Sequence, residues 1–322
     1  MMNPFATNLK PCRIFLGTAS YGSSISKKEA FAVMDAYFEA GGNVLDTANI
    51  YSSWEPGGEG TSECTVGEWI RSRGVRDRVL LCTKGGHPDM ERMGHGRCTL
   101  PDLRAHFAQS MERLQLECID LYWLHRDHPE LPVEAIIDNL AALNFEGRIG
   151  CFGASNWIPE RMEAANRYAA ANGLPGFVLS QPGWALAAHE TRQDEPSPML
   201  YLDERMREWH VRTGFPLAPY AAQARGYFGQ ENVQWAASGF AGEVPRADDY
   251  DSPKNRARLA QAAALARQKG CTANQIALAW VLNQPFPTFP IVSTRSVAHM
   301  LESLGALQVC LDNTEREALH GA

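Results

Sequence analysis

Residues 26–51 read SKKEAFAVMDAYFEAGGNVLDTANIY, and the order of events along this stretch sets the architecture. Ser26 is a good N-cap, because its hydroxyl accepts from a free backbone N–H of the first helical turn. Apolar residues then recur at helical spacing over 27–40, and Gly41-Gly42 stop the helix. A short apolar run, Asn43-Val44-Leu45, follows and ends on Asp46. A run without polar alternation suits a strand buried on both faces, as in a parallel sheet covered by helices.

The same unit recurs along the chain. Strands are expected over 13–17, 43–46, 78–83, 119–124, 149–153, 177–180, 216–220 and 290–292. Amphipathic helices are expected over 27–40, 63–73, 103–114, 133–146, 159–171, 204–212, 255–268, 273–282 and 297–304. Eight strand–helix units with short connections predict an α/β protein, a (β/α)8 TIM barrel formed as one domain over 1–322. An open doubly wound sheet is the runner-up. Two connections are long: 185–203 after strand six, rich in proline and charge, and the glycine-rich 223–252 after strand seven. Long irregular segments in a compact domain act as lids or binding loops.

Of the 322 residues, 45% are apolar, enough for a sizeable core. The formal net charge of -7 argues against a chain-wide grip on nucleic acid or anionic lipid. No stretch of 18 apolar residues appears, so no membrane span is expected. The eight cysteines form no C-x-x-C pair and are irregularly spaced, which reads as free thiols in the reducing cytoplasm. The start, MMNPFATNLKPCR, has no run long enough for the apolar region of a signal peptide. The oligomeric state is left open.

In such a barrel, chemistry gathers at the C-terminal ends of the strands. Those ends carry Asp46, Lys84 and His125 after strands two, three and four, with Tyr51 just beyond Asp46. They carry Ser155-Asn156 after strand five, Gln181 after six, Tyr220 after seven and Ser293-Thr294-Arg295 after eight. Each alone has an ordinary structural reading: a cap, a solvated lysine, a packed histidine or tyrosine. Together they make a coherent site. An ammonium within about 4–6 Å of a phenol favours the phenolate and lowers its pKa. A carboxylate paired with that lysine keeps it charged and aimed. A histidine at the next strand end can hydrogen-bond a carbonyl oxygen as negative charge develops on it.

These residues resemble the aldo-keto reductase superfamily over nearly the whole chain. Gly42 through Tyr51 is similar to the family's first signature, with aspartate and tyrosine five apart, and Thr83-Lys84 and Leu124-His125 resemble its lysine and histidine positions. The resemblance implies a catalytic tetrad of Asp46, Tyr51, Lys84 and His125. It implies that Tyr51 gives a proton to an aldehyde or ketone oxygen while hydride comes from NADPH, with NADH a possible substitute. It also implies nicotinamide contacts at Ser155, Asn156 and Gln181 and stacking at Tyr220. Gly17, Thr18, Arg225, Gly226, Ser293, Thr294, Arg295, His299 and Ser303 complete the implied cofactor set, and Arg295 stands where a cation meets the 2′-phosphate. The 223–252 segment is then expected to close over the dinucleotide. Several positions depart from the family pattern: Ser293 for glycine, His299 for Arg or Gln, Ser303 for asparagine, and Ala221-Ala222-Gln223 for Ser-Pro-Leu.

No dinucleotide fingerprint of the G-x-G-x-x-G kind appears; Pro56-Gly57-Gly58-Glu59-Gly60 lacks its spacing and reads as a loop beside the site. Trp54, His87, Arg126 and Trp157 fall near the same strand ends and are expected to line the substrate pocket, a mixed aromatic and polar surface suited to a sugar-like carbonyl. His125-Arg126-Asp127-His128 offers too few ligands for zinc or iron, so no metal is expected. Two rival readings remain: a nicotinamide-binding sensor on the same barrel, and a metal-dependent hydrolase.

Overall fold

The computed structural model describes residues 5, 7–144, 147–189, 199–237 and 248–322, the side chains of 235 and 248 excepted. Seven strands form one parallel sheet: β1 (Phe15–Gly17), β2 (Val44–Asp46), β3 (Leu80–Gly85), β4 (Ile119–Leu124), β5 (Ile149–Ser155), β6 (Phe177–Gln181) and β7 (Ile291–Val292). Their order is β6-β5-β4-β3-β2-β1-β7, so each strand lies beside its predecessor and β7 returns to β1.

The expected strand over 216–220 is not a regular one. Pro216 and Pro219 have no N–H to give, and Pro287 and Pro290 interrupt the facing segment. The stretch nevertheless bridges the gap. Ser180 N donates to Pro216 O (3.1 Å) and Ala218 N to Ser180 O (2.8 Å) on the β6 side. Phe289 N donates to Leu217 O (2.8 Å) and Ile291 N to Pro219 O (2.9 Å) on the β7 side. These bonds close the ring, and the (β/α)8 barrel expected from the sequence is the fold.

Helices cover the outside: α1 (Lys27–Glu39), α2 (Thr61–Arg73), α3 (Leu100–Leu114), α4 (Val133–Leu143), α5 (Pro159–Ala171), α6 (Glu204–Thr213), α7 (Gln230–Ala237), α8 (Pro253–Lys269), α9 (Ala273–Leu282), α10 (Val297–Gly305) and α11 (Asn313–Gly321). α1 begins with a capping box between Ser26 and Glu29, as its sequence requires. The expected helix over 133–146 ends at Leu143, and residues 145–146 lie outside the described ones. Two helices were not expected. α7 lies inside the 223–252 connection, of which 238–247 are outside the described residues. α11 opens with a capping box between Asp312 and Glu315, a signal present in the sequence.

The barrel interior is a dry cluster containing Phe15, Val44, Leu80, Cys82, Leu121, Trp123, Cys151, Leu179, Ala218, Phe289 and Ile291. Strand side chains alternate between faces, so these positions define which parity points inward. The partners of opposite parity, such as Leu16, Leu45, Leu81, Tyr122 and Phe152, belong to the layer between sheet and helices. Phe5 stacks on Phe15 with ring centroids 6.0 Å apart, closing the N-terminal end of the interior. A depression of about 710 Å³ lined by Arg76, Cys118 and Asp120 lies at that same end, on the face away from the strand C-termini.

Two histidines of the helical layer tie stability to pH. His106 and His210 are both buried. Burial pushes each imidazole down to about 4. His106 Nδ1 accepts from Gly86 N at 3.0 Å, a bond that protonation destroys. Between about pH 4 and 6.5 the unfolded chain binds protons that the native state refuses, so stability is full above 6.5 and lost on acidification. Unfolding by urea is expected to show several kcal/mol less stability at pH 4.5 than at pH 7, on the order of 2–3 from each histidine. The pH dependence should be shallower in His210→Gln; an unchanged slope in that variant would remove His210 from the account.

Candidate active site

The inward parity carries through to the last residue of each strand. Following Phe15 it reaches Gly17; following Val44, Asp46; following Leu80 and Cys82, Lys84. Following Leu121 and Trp123 it reaches His125; following Cys151, Ser155; following Leu179, Gln181; and following Ala218, Tyr220. The uppermost inward layer of the barrel is therefore polar where every layer beneath is apolar. Thr18, of the other parity, is buried behind this layer, with its hydroxyl on Asp46 O at 3.1 Å.

Asp46 and Lys84 form a buried ion pair, each side chain 1% exposed. Lys84 Nζ donates to Asp46 Oδ2 and, at 2.8 Å, to Thr47 O. Gln181 Nε2 donates to Asp46 Oδ1 at 3.3 Å. The ammonium also lies 4.6 Å from the centre of the Tyr51 ring. Burial draws Lys84 down, but Asp46 and then Tyr51 more than offset this, and its pKa stands above the ordinary value. Lys84 is a permanent cation at neutral pH.

Tyr51 is held by a tightly built loop. Asn49 N donates to Lys84 O (3.0 Å), and Arg113 Nη1 donates to Asn49 O (2.9 Å). Ser52 adopts φ +69°, uncommon for a residue with a side chain, and its hydroxyl donates to Ala19 O at 3.0 Å. Gly58 is required beneath it, since a Cβ there would meet Ser52 O at 2.2 Å. Burial raises the Tyr51 phenol, and Lys84 draws it back only partway, so its pKa lies above the ordinary value. This corrects the expectation of a net lowering: desolvation outweighs the ammonium, and the phenol keeps its proton at neutral pH.

His125 and His87 complete this side. The His125 ring lies edge-on to Tyr51 (centroids 5.7 Å) and to His87 (4.8 Å). Burial, then the neighbouring His87 and Arg126, pushes His125 well below its ordinary value, and burial takes His87 down to about 4. Both are neutral imidazoles. Trp54, 47% exposed, stands edge-on to Tyr51 at 6.1 Å and forms the rim. Trp157 does not join the group. It is buried in the helical layer against Phe177 (5.0 Å) with Arg161 over its ring. Two residues past the strand end, its side chain has passed to the outside of the barrel. Asp127 turns to Arg161 (2.6 Å), and His128 Nε2 faces Glu130 (3.3 Å).

The remaining strand ends, from β5 round to β1, present the other expected residues. Asn156, at φ +61°, has its carboxamide fully engaged. It donates to His125 O (3.0 Å) and accepts from Tyr220 Oη (2.9 Å) and Leu200 N (2.8 Å). A ligand at that position must take over one of these bonds. Ser155 Oγ donates to Gln181 O at 2.9 Å. After Tyr220 the chain makes a strained turn, with Ala221 at φ +52°, Ala224 at +46°, Arg225 at +52° and Gly226 at +90°. Strain of this kind, about 1–3 kcal/mol per residue, gathers at functional sites. Arg225 lies 3.9 Å from Asp249. Arg295 and His299 are exposed at the start of α10, where Ser296 caps the helix and Thr294 Oγ1 accepts from Ser296 N (3.0 Å). Ser293 is exposed beside β1. Ser303 is buried; its hydroxyl donates to His299 O (2.7 Å) and accepts from Gln223 Nε2 (3.0 Å), so it clamps α10 to the strained turn.

Arg113 and Glu63 are structural supports that sequence reasoning passed over. Glu63 is buried, accepts from Thr83 Oγ1 at 2.6 Å and faces Arg113 at 3.4 Å. An arginine on an amphipathic helix ordinarily signals only a solvated face.

Comparison with known proteins agrees with this geometry. The profile of the aldo/keto reductase family matches residues 13–322. The chain belongs to that family. Norsolorinic acid reductase B of Dothistroma septosporum is 31% identical over 317 residues, 94% of this chain and 74% of that protein. The Saccharomyces cerevisiae protein named "Probable aryl-alcohol dehydrogenase AAD4" is 27% identical over 92% of this chain and 88% of its own length. An aldo-keto reductase from Klebsiella pneumoniae, solved in complex with NADPH, shares the fold with a TM-score of 0.70 at 24% identity, covering 99% of this chain and 94% of that one. The present aldo/keto reductase is thus an enzyme on a barrel whose inward top layer holds the Asp46–Lys84 pair beneath Tyr51.

Breaking that pair isolates a charge. Lys84→Met leaves Asp46 buried without its cation, which costs about 3–5 kcal/mol when a buried pair is broken from one side. Asp46→Asn combined with Lys84→Met removes both charges and is expected to be more stable than Lys84→Met alone by chemical denaturation. A double variant no more stable than the single one would show that the two side chains do not depend on each other.

Proposed function

We propose that this protein is an NADPH-dependent reductase of small aldehydes or ketones, with Tyr51 as the proton donor. The observation that carries the proposal is the charged, buried Lys84 held by Asp46 under a Tyr51 that keeps its proton. A phenol in this state gives its proton to a carbonyl oxygen only as negative charge grows there. Lys84 stabilises the phenolate left behind, and Asp46 keeps Lys84 aimed. Neutral His125 orients the carbonyl oxygen by a hydrogen bond.

The residues fit a nicotinamide dinucleotide. Gln181, Ser155 and Tyr220 belong to the same inward layer as Asp46 and Lys84, and the strained turn 221–226 and the N-terminus of α10 follow along the rim. Arg295 has no carboxylate within 4 Å among the described residues, and its charge acts on the more distant Glu29. When bound, the nicotinamide supplies hydride to the carbonyl carbon. Gln181 and Ser155 would hold its carboxamide, Tyr220 its ring, and Arg295 with the free N–H groups of α10 the 2′-phosphate. The complexes with NADP and NADPH described for the Klebsiella proteins of the same fold are in keeping with this choice. The names of the relatives point to norsolorinic acid and to aryl alcohols, while the histidines and Arg126 favour a polar substrate. All eight cysteines are free, which suits the cytoplasm.

Tyr51→Phe is expected to lower the kcat for reduction about 10²–10⁴-fold while NADPH affinity stays close to that of the wild type. Steady-state turnover of a panel of aldehydes and ketones, followed by cofactor absorbance, reads this. A variant keeping more than about a tenth of kcat would exclude Tyr51 as the acid. NADPH binding without turnover of any carbonyl by the wild type would instead make the protein a sensor.

Arg295→Ala is expected to weaken NADPH about ten- to a hundredfold and leave NADH nearly unchanged in titrations of both cofactors. Equal losses for the two would mean that Arg295 does not read the phosphate.

A further inference from the structure

Arg126 is a buried cation with no counter-charge among the described residues. It follows His125 at the end of β4 and is 8% exposed. Its Nη1 donates to His125 O at 3.2 Å, and its Nε is buried with no partner. Among the described residues no carboxylate lies within ion-pair distance of it; Asp127, its chain neighbour, is taken by Arg161 at 2.6 Å. The groups that feel its charge are Tyr51, Tyr201 and Tyr220 on one side and His87 and His125 on the other. Tyr51, Tyr220, His87 and His125 belong to the site, and Tyr201 stands edge-on to Tyr220 at 5.8 Å, so the guanidinium lies at the chamber.

The charge balance of the chamber follows directly. Lys84 is neutralised by Asp46, and His87 and His125 are neutral. Among the described residues, Arg126 is left as one uncompensated positive charge. Burying an unpaired ion costs several kcal/mol, and native proteins avoid it unless a ligand completes the pair. The planar fork of a guanidinium matches an oxyanion with two oxygens to offer.

We propose that the substrate is a carbonyl compound bearing an anionic group, a carboxylate or a phosphate monoester, which Arg126 binds while Tyr51 and His125 hold the carbonyl. The inference rests on the reductase reading and deepens it. The charge of Arg126 acts on Tyr51 as well as on His125, so the anion belongs near the carbonyl that those two residues hold.

The test compares matched carbonyls with the NADPH-saturated enzyme: succinic semialdehyde against butanal, and glyceraldehyde 3-phosphate against glyceraldehyde. The wild type is expected to show kcat/KM about ten- to a hundredfold higher for the anionic member of at least one pair. Which pair shows it tells carboxylate from phosphate. In Arg126→Gln that ratio is expected to fall to near unity, and in Arg126→Lys to be kept in part. Independently of turnover, calorimetric binding of succinate or inorganic phosphate to the enzyme–NADPH complex should be detectable in the wild type and lost in Arg126→Gln. A wild type with no anion preference and no anion binding overturns the inference. So does a preference that survives Arg126→Gln, or a loss of NADPH affinity in that variant with the preference intact, which would give Arg126 to the cofactor. Reduction of the neutral members without anion preference sinks this inference alone. If no carbonyl is reduced at all, the reductase reading fails, and the calorimetry still decides whether Arg126 binds an anion.

Discussion

A lysine ammonium does not stay charged in a barrel interior without a counter-charge, and the Lys84–Asp46 pair meets that requirement at the top of this one. Much of the site is arranged around the pair. Gln181 takes the second oxygen of Asp46 across the barrel, so a carboxylate on β2 orders the end of β6. Lys84 also donates to Thr47 O, fixing the start of the loop that brings Tyr51 back over the ammonium. The pair therefore sets both the electrostatics of the phenol and the path of the chain that delivers it.

Desolvation decides the protonation states around it. The same burial that raises the Tyr51 phenol depresses His125 and His87, so the chamber holds a protonated acid and two neutral imidazoles in one place. That combination suits proton donation to a carbonyl better than proton abstraction. Reasoning from Lys84 alone gave the opposite direction for Tyr51, because the ammonium's pull was counted and the loss of water around the ring was not. Arg126 stands out against this background as a buried cation with no answering charge among the described residues.

The backbone around the rim is built to a different standard from the rest of the barrel. Among the described residues, and apart from Gln115 at the end of α3, the non-glycine residues with positive φ are Ser52, Asn156, Ala221, Ala224 and Arg225, all beyond strand ends at this face. Asn156 is held there by three atoms from three segments, and Ser52 by Ala19 and Gly58. The framework of short strands and capped helices supplies the rigidity that lets these positions persist.

The strands and most helices were legible because each obeys a local rule: a cap, a period, a glycine stop. The polar strand ends were legible for a related reason. Inward parity is counted from the apolar residues of each strand, and Asp46, Lys84 and His125 each fall on it without any knowledge of their neighbours. The strand at 216–220 was misjudged in form because prolines at 216, 219, 287 and 290 deny it a ladder, although it still closes the ring. Trp157 was misplaced because one turn of backbone past Ser155 moves a side chain from the chamber to the helical layer, and no periodicity survives beyond the strand end. Sequence alone was enough for the barrel, for the gathering of Asp46, Lys84 and His125 at consecutive strand ends and for the family resemblance, since these follow from spacing along the chain. Only the tertiary structure decided the direction of the Tyr51 shift, the employment of Asn156 and Ser303, and the unpaired state of Arg126. Those depend on which groups from distant segments share a volume without water, and burial and pairing across the barrel are written in no local stretch.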